Sequence, residues 1–289
     1  MKKRIGIIGA GVVGTAVGVI LREKGYLFAG IYDKQSASTE TLGKRIGCKA
    51  FDSMQKLSES SDILFITTSD SAIQEIVAIL ADCRAFHSEQ IVIHMSGAHS
   101  SEILNRAREM GAKILSVHPL QSFANPDQAI KILPGSVFSI EGDREAYEIA
   151  EDIVDSLGGE YFFIDGKAKP LYHAGACVVS NFMVTIIDFG VKLLEKAGIP
   201  QNEAVRALMP LITGSVNNIE RIGIPDALTG PIARGDLNTV SHHLSSLEEM
   251  APEFIELYKC LGLYTTELAI KKGTIDAKKR EDFQKMLSL

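Results

Sequence analysis

Cysteine is scarce in this sequence. Its four residues, Cys48, Cys83, Cys177 and Cys260, are scattered and form no CxxC pair. That spacing argues against a zinc site and against a disulfide framework, so no metal is expected and a reducing cytoplasm is the expected compartment. Long basic runs are missing as well. The formal net charge is -6, whereas a groove that tracks nucleic-acid phosphates needs clustered Lys and Arg. Nucleic acid is therefore not an expected partner. Uninterrupted apolar spans of membrane length are also lacking: the longest apolar stretch, residues 174–191, is broken by Asn181 and Asp188 and reads as a buried helix. Met1-Lys2-Lys3-Arg4 and the apolar run to Leu21 imitate a secretory leader, but the glycines in that run fall at a spacing that a strand–turn–helix unit explains better.

What is present suits a soluble two-domain protein. The 289 residues are 46% hydrophobic and 23% charged, enough to bury a core in each of two domains. The first half alternates β-rich runs with helical segments, the pattern of a parallel sheet flanked by helices. Strands are predicted at 4–8, 27–32, 62–67, 90–94, 113–117, 136–141 and 160–164, with a helical segment at 144–157 before the last. Ile63-Leu64-Phe65-Ile66 is continuously apolar, as a strand buried on both faces requires. Beyond Asp165-Gly166 the texture becomes helical. One long helix is predicted from Pro170 to the Gly198-Ile199-Pro200 break, and a second over 201–222 with a kink at Pro210. A Gly- and Pro-rich loop over 223–236 precedes two more helices, at 237–247 and 252–272. The expected division is an α/β domain over residues 1–166 and an all-α domain over 167–289.

The sharpest motif is Gly9-Ala10-Gly11-Val12-Val13-Gly14, which follows the first strand and opens a helix. Its glycines permit a tight turn, close approach of backbone to a pyrophosphate, and close helix–strand packing. The helix N-terminus then offers free N–H groups to the phosphates. Asp33 ends the second strand about twenty residues on, where the fingerprint of a Rossmann dinucleotide site places an acid for the ribose hydroxyls. The implied cofactor is NAD or NADP, with Asp33 favouring NAD, although Lys34 and Ser36 stand where a 2′-phosphate would lie. Thr67-Thr68-Ser69-Asp70 should lie over the cofactor, or Ser69 or Asp70 should simply cap the following helix.

Two further strand ends carry polar groups, His94-Met95-Ser96-Gly97 and the run His118-Pro119-Leu120-Gln121-Ser122-Phe123. His118 is the leading acid/base candidate, because hydride transfer leaves an oxygen to protonate and imidazole titrates near neutrality. The alternative for His118 is a buried histidine bonded to a carbonyl, and the alternative for His94 is a side chain that points into the sheet. Ser96 would touch a substrate oxygen or cap a helix near Ser100. Lys169 and His173 share a face of the long helix, with Cys177, Ser180 and Asn181 on a neighbouring arc; Cys177 reads as core filler. Asn181 would line a cavity or satisfy an interhelical network. Arg234, in Thr229-Gly230-Pro231-Ile232-Ala233-Arg234-Gly235-Asp236, would clamp a substrate carboxylate, or Asp236 would pair with it or cap the next helix. One of His242 and His243 should face inward.

With these segments in view, the chain resembles the Rossmann-like oxidoreductases whose C-terminal helical module is a domain of unknown function, within the 6-phosphogluconate dehydrogenase-like superfamily. The GAGVVG turn, His94-Met-Ser-Gly, HPLQSF, YHAGACVVSN over 172–181 and LTGPIARGD over 228–236 carry the resemblance. It implies a helical C-terminal domain that dimerises and an active site between domains, in a group that includes ketopantoate reductase, pyrroline-carboxylate reductase and prephenate dehydrogenase. Ser96 and His118 look like the polar pair of prephenate dehydrogenases. Several relatives place a catalytic lysine four residues before an asparagine; here Lys169 is followed at that spacing by His173, so His118 or His173 would supply the proton. The expectation is a hydride-transferring enzyme for a small carboxylate-bearing carbonyl or hydroxyl compound, such as a ketopantoate-like 2-oxo acid. His118, His173, Ser96 and Asn181 would act in catalysis, and Arg234, Lys169 and Gln121 in substrate binding. The rivals are an imine reductase and a non-catalytic NAD(P) sensor.

Overall fold

The seven apolar runs pair into one sheet in the order β2-β1-β3-β4-β5-β6-β7. In the computed structural model, which describes residues 3–288, the strands are β1 Arg4–Ile8, β2 Leu27–Tyr32, β3 Ile63–Ile66, β4 Ile91–His94, β5 Lys113–Pro119, β6 Val137–Gly142 and β7 Glu160–Phe163. The pairs from β2 to β5 are parallel, β6 runs antiparallel to β5, and β7 returns parallel to β6. The helices are α1 Val12–Glu23, α2 Ser36–Ile46, α3 Met54–Glu59, α4 Asp70–Asp82, α5 Asn105–Glu109, α6 Pro126–Ile132, α7 Tyr147–Ser156, α8 Lys169–Lys196, α9 Gln201–Ile222, α10 Leu237–Met250, α11 Ile255–Lys272 and α12 Ala277–Leu287. Each predicted strand is present to within one or two residues, and only Met1 of the leader-like Met1–Arg4 start, with Lys2, lies outside the described residues. The helices α2, α3, α6 and α12 come in addition.

Strand side chains alternate between two cores. Ile63, Phe65, Ile91, Ile93, Leu115 and Val117 join one cluster, which α1, α6 and α7 cover. Leu64, Ile66, Val92 and Ile114 join the other, under α4 and α5. Each fully buried side chain of this kind contributes about 1.5–3 kcal/mol relative to exposure. The chain crosses from β2 back over β1 to β3, so the carboxyl end of β1 is the point where the strand order reverses. In open α/β sheets ligands bind there.

By contact the chain divides into two compact units, one up to Ser180 and one from Asn181. The second has its own core of Ile232, Val240, Leu244, Ala269, Ile275, Phe283 and Leu287. One sequence expectation fails in α8. Residues 174–191 were expected to be buried, yet Val179 (65%), Phe182 (57%) and Val184 (68%) are exposed. The segment 166–196 is long and apolar enough to cross a membrane, with 11% of its apolar window buried. Apolar periodicity marks a surface that needs a cover without saying what supplies it, and no part of the described chain covers this one.

Candidate functional site

At the carboxyl end of β1 the glycine turn is held open by close contacts. Gly9 has φ +102°, and a Cβ there would lie 2.8 Å from the Thr67 carbonyl carbon. A Cβ on Gly14 would collide with the Gly9 carbonyl. Gly11 has open space where its side chain would be, so backbone can approach a ligand. No side chain caps α1, which leaves the amides of Val12, Val13 and Gly14 for an anion. Asp33 is the clip that shapes the turn. One of its carboxylate oxygens accepts from Ala10 N at 2.7 Å and the other from Gln35 N at 2.8 Å. Thr67 Oγ1 donates to the Gly9 carbonyl at 2.7 Å.

A cavity of about 520 Å³ opens beside this turn, lined by Gly9, Gly11, Asp33, Lys34, Thr67 and Thr68 among others. Its size suits a mostly buried organic ligand. The sequence-predicted cofactor residues are therefore gathered in one place. Ser69 occupies the position before α4 without capping it through its side chain.

A second cluster forms where β4, β5, β6 and the start of α8 meet. His118 Nδ1 is 2.8 Å from the Tyr172 hydroxyl, and the His118 and His173 rings lie 6.5 Å apart, edge to face. Both rings turn toward Gly97. His173 Nδ1 is buried without a partner, while its Nε2 meets Cys177 Sγ at 3.5 Å. Beneath the pair, Lys169 is fully buried. Its ammonium donates to Ser116 Oγ at 2.7 Å and approaches Ser139 Oγ at 3.4 Å. Glu141 is bound by the Ser101 amide (2.7 Å) and hydroxyl (2.8 Å).

Burial sets the protonation states here. It brings Lys169 down to about 8, against a smaller raising effect from Glu141. Burial, and then the Lys169 charge, bring His118 down to about 4 and His94 to about 3. Both imidazoles are accordingly neutral at pH 7, beside a buried cation. Burial raises the Tyr172 phenol.

Family comparisons agree with this architecture. Residues 1–119 match the model of a Rossmann-like domain, and residues 136–265 that of a domain of unknown function, DUF2520. The chain is a Rossmann-like domain joined to a DUF2520 domain. No curated protein matches it. Protein TM1727 from Thermotoga maritima is similar in structure, with TM-score 0.74, 23% identity, 93% of this chain and 99% of that one covered. An imine reductase from Myxococcus stipitatus in complex with NADP+ has TM-score 0.61 and 17% identity, covering 86% of this chain and 88% of its own. A reductive aminase from Aspergillus terreus in complex with NADPH and ethyl-5-oxohexanoate has TM-score 0.63 and 16% identity, covering 99% and 93%. At these identities the likeness is one of fold.

Within this Rossmann–DUF2520 chain the remaining sequence candidates fall in different places. His94 faces the sheet: its Nδ1 accepts from Ser96 N at 3.1 Å and its Nε2 lies 3.2 Å from the Ser100 carbonyl. The Ser96 hydroxyl accepts from Ala98 N and His99 N, at 3.1 and 3.3 Å, shaping the turn that carries Gly97. Lys169 points into the protein under the histidines. Gln121 is exposed and folds its amide oxygen back onto Ser122 N at 2.9 Å. Asn181 and Arg234 belong to the second unit, and both are exposed. Asp236 caps α10 through Thr239 N at 3.0 Å and Thr239 Oγ1 at 2.6 Å. His243, also exposed, bonds Tyr258 at 2.7 Å. Tyr172 is the functional candidate that sequence reasoning did not single out.

Proposed function

We propose that this protein is an NAD(P)-dependent oxidoreductase that interconverts a carbonyl and a hydroxyl group on a small carboxylate-bearing compound, a ketopantoate-like 2-oxo acid being the first substrate to try. One observation carries the reading. His118 Nε2 and the unpartnered Nδ1 of His173 both aim at the side-chain-free position of Gly97, in the unit that also holds the glycine turn. Two converging imidazole nitrogens suit a reacting oxygen that must gain or lose a proton.

The amides of the glycine turn, Asp33, Lys34, Thr67, Thr68 and Ser69 would hold the dinucleotide, and Asp33 weights the choice toward NAD through the ribose hydroxyls. When bound, the nicotinamide supplies or accepts the hydride. His118 orients the substrate oxygen and exchanges the proton. His173 adds a second contact, and the buried Lys169 charge favours an oxygen that becomes anionic in the transition state.

The second reading is reduction of a C=N bond, favoured by the imine reductase and reductive aminase among the similar structures. A cationic iminium is disfavoured beside the buried ammonium, which places this reading second. The deciding assay is NADH and NADPH oxidation with a panel of 2-oxo acids and cyclic imines, using wild type and His118→Ala. Turnover on an oxo acid that falls about 100-fold or more in the variant, at unchanged dinucleotide affinity, supports the first reading. Turnover on imines alone selects the second. Dinucleotide binding without turnover on either class makes the protein a sensor and overturns both.

A further inference from the structure

We propose that His118 and His173 form a two-donor pincer for one carbonyl oxygen, and that Tyr172 and Cys177 are the positioning residues that fix each ring as a donor. The pincer presupposes the oxidoreductase reading above and narrows its substrate to a carbonyl rather than an imine.

Each ring is held from behind. His118 Nδ1 lies 2.8 Å from the Tyr172 hydroxyl, and His173 Nε2 lies 3.5 Å from Cys177 Sγ, one turn along α8. The nitrogen left over on each ring, Nε2 of His118 and Nδ1 of His173, is the one that turns to Gly97. A neutral imidazole has one N–H and one bare nitrogen. The partner behind therefore decides which of the two faces forward.

A phenol is more acidic than the N–H of a neutral imidazole, so it is the better donor of the pair. Tyr172 accordingly donates to Nδ1, and His118 carries its hydrogen on Nε2. The thiol acts in the same sense, because sulfur accepts hydrogen bonds weakly and an imidazole nitrogen accepts them well. Cys177 donates to Nε2, and His173 carries its hydrogen on Nδ1. That nitrogen is the buried one that finds no partner in the protein. A buried donor without an acceptor is costly, and its place beside Gly97 points to an acceptor brought by the ligand. Cys177, expected only to fill the core, is thus the residue that aims this donor.

The front nitrogens of His118 and His173 stand 2.6 and 2.8 Å from the place of a Gly97 Cβ. For carbon these are collisions; for an oxygen accepting from N–H they are close to ordinary hydrogen-bond lengths. One oxygen seated in front of Gly97 can meet both donors. A carbonyl oxygen has two lone pairs and accepts both bonds, whereas an imine nitrogen has one and an iminium none. Negative charge gathers on that oxygen as hydride reaches the carbon, so both bonds strengthen in the transition state.

The ¹⁵N spectrum of the dinucleotide-free protein reads the tautomers directly. Wild type should carry hydrogen on His118 Nε2 and His173 Nδ1. Cys177→Val, close to cysteine in shape but without the S–H, should move part of the His173 hydrogen to Nε2. Tyr172→Phe should move part of the His118 hydrogen to Nδ1. In Cys177→Val, kcat/KM for the 2-oxo acid should fall about tenfold, with any turnover of cyclic imines and the dinucleotide affinity within about twofold of wild type. Hydrogen on His173 Nε2 in wild type, or a tautomer unmoved in Cys177→Val, overturns the pincer. Equal losses on oxo acids and imines overturn it as well, because they assign Cys177 to packing alone. If wild type turns over none of the compounds, the oxidoreductase reading fails and the carbonyl assignment with it, while the spectrum by itself decides the tautomers.

Discussion

Gly97 has no side chain where His118 comes nearest: a Cβ there would lie 2.6 Å from His118 Nε2 and 2.8 Å from His173 Nδ1. Gly97→Ala must displace one ring or both. Turnover is expected to drop about 100-fold, since a shift of about 1 Å in a reacting group has that effect. Dinucleotide affinity, measured by fluorescence titration, should stay level because the glycine turn is untouched. Undiminished turnover would mean that the two imidazoles do not meet the substrate.

Asp33 presents a different balance. Its carboxylate holds the Ala10 and Gln35 amides and repels a phosphate on the ribose. Asp33→Ser should weaken NAD binding about tenfold, since hydrogen bonds to a charged acceptor contribute about 1.5–3 kcal/mol. The NADP-to-NAD affinity ratio should rise at the same time. Calorimetric titration with both dinucleotides reads the two effects together, and an unchanged ratio would remove Asp33 from cofactor choice.

Acid should destabilise the fold through its histidines. His94 and His118 titrate at about 3 and about 4 when folded, against 6.5 for the free side chain. Between those values the unfolded chain binds more protons than the folded one, so their contribution is complete above about pH 6.5 and declines as pH falls toward 4. Lys169, Glu141, His99, His173 and Asp70 are the charged or titratable neighbours that enter these shifts. Thermal melts across pH 4 to 8 should show Tm falling over that window, with a shallower slope in His118→Gln. A flat Tm profile would contradict the burial of both rings.

The exposed apolar stretch of α8 calls for a cover, and a second copy of the chain is the proposed one. Its polar interruptions at Ser180, Asn181 and Thr185 suit a protein surface better than lipid. Light scattering should give twice the monomer mass, and Val179→Glu combined with Phe182→Glu should give a monomer. A wild-type monomer that floats with lipid vesicles would point to a membrane instead.

Much of this fold is legible from pattern, and the reasons are local. The central strands β1, β3 and β4 stand out because they are largely apolar on both faces and bounded by turn residues. Helix α6 carries its own start signal, with Asn125 accepting from Gln128 N and Pro126 in the first turn, but seven residues show too little periodicity to announce a helix. α12 begins the same way at Asp276 and is hidden by its charge. The cofactor turn is legible because its function is written in backbone geometry within one βαβ unit. The histidine cluster is only half legible. His118 and His173 are visible as residue types at strand and helix ends, whereas the Tyr172 contact joins positions 54 apart and exists only once β5 and α8 are packed. Lys169 likewise reads as a substrate-binding residue on the polar edge of a helix, whereas the fold turns its ammonium inward onto Ser116.

The burial of Lys169 also makes it a clock. An amine-reactive reagent in solvent meets the surface lysines at once, but it can label this one only after the first turn of α8 has lifted off the sheet. The rate at which that single side chain becomes modified therefore measures how often the floor of the site opens, a motion that turnover and melting temperature both leave unseen.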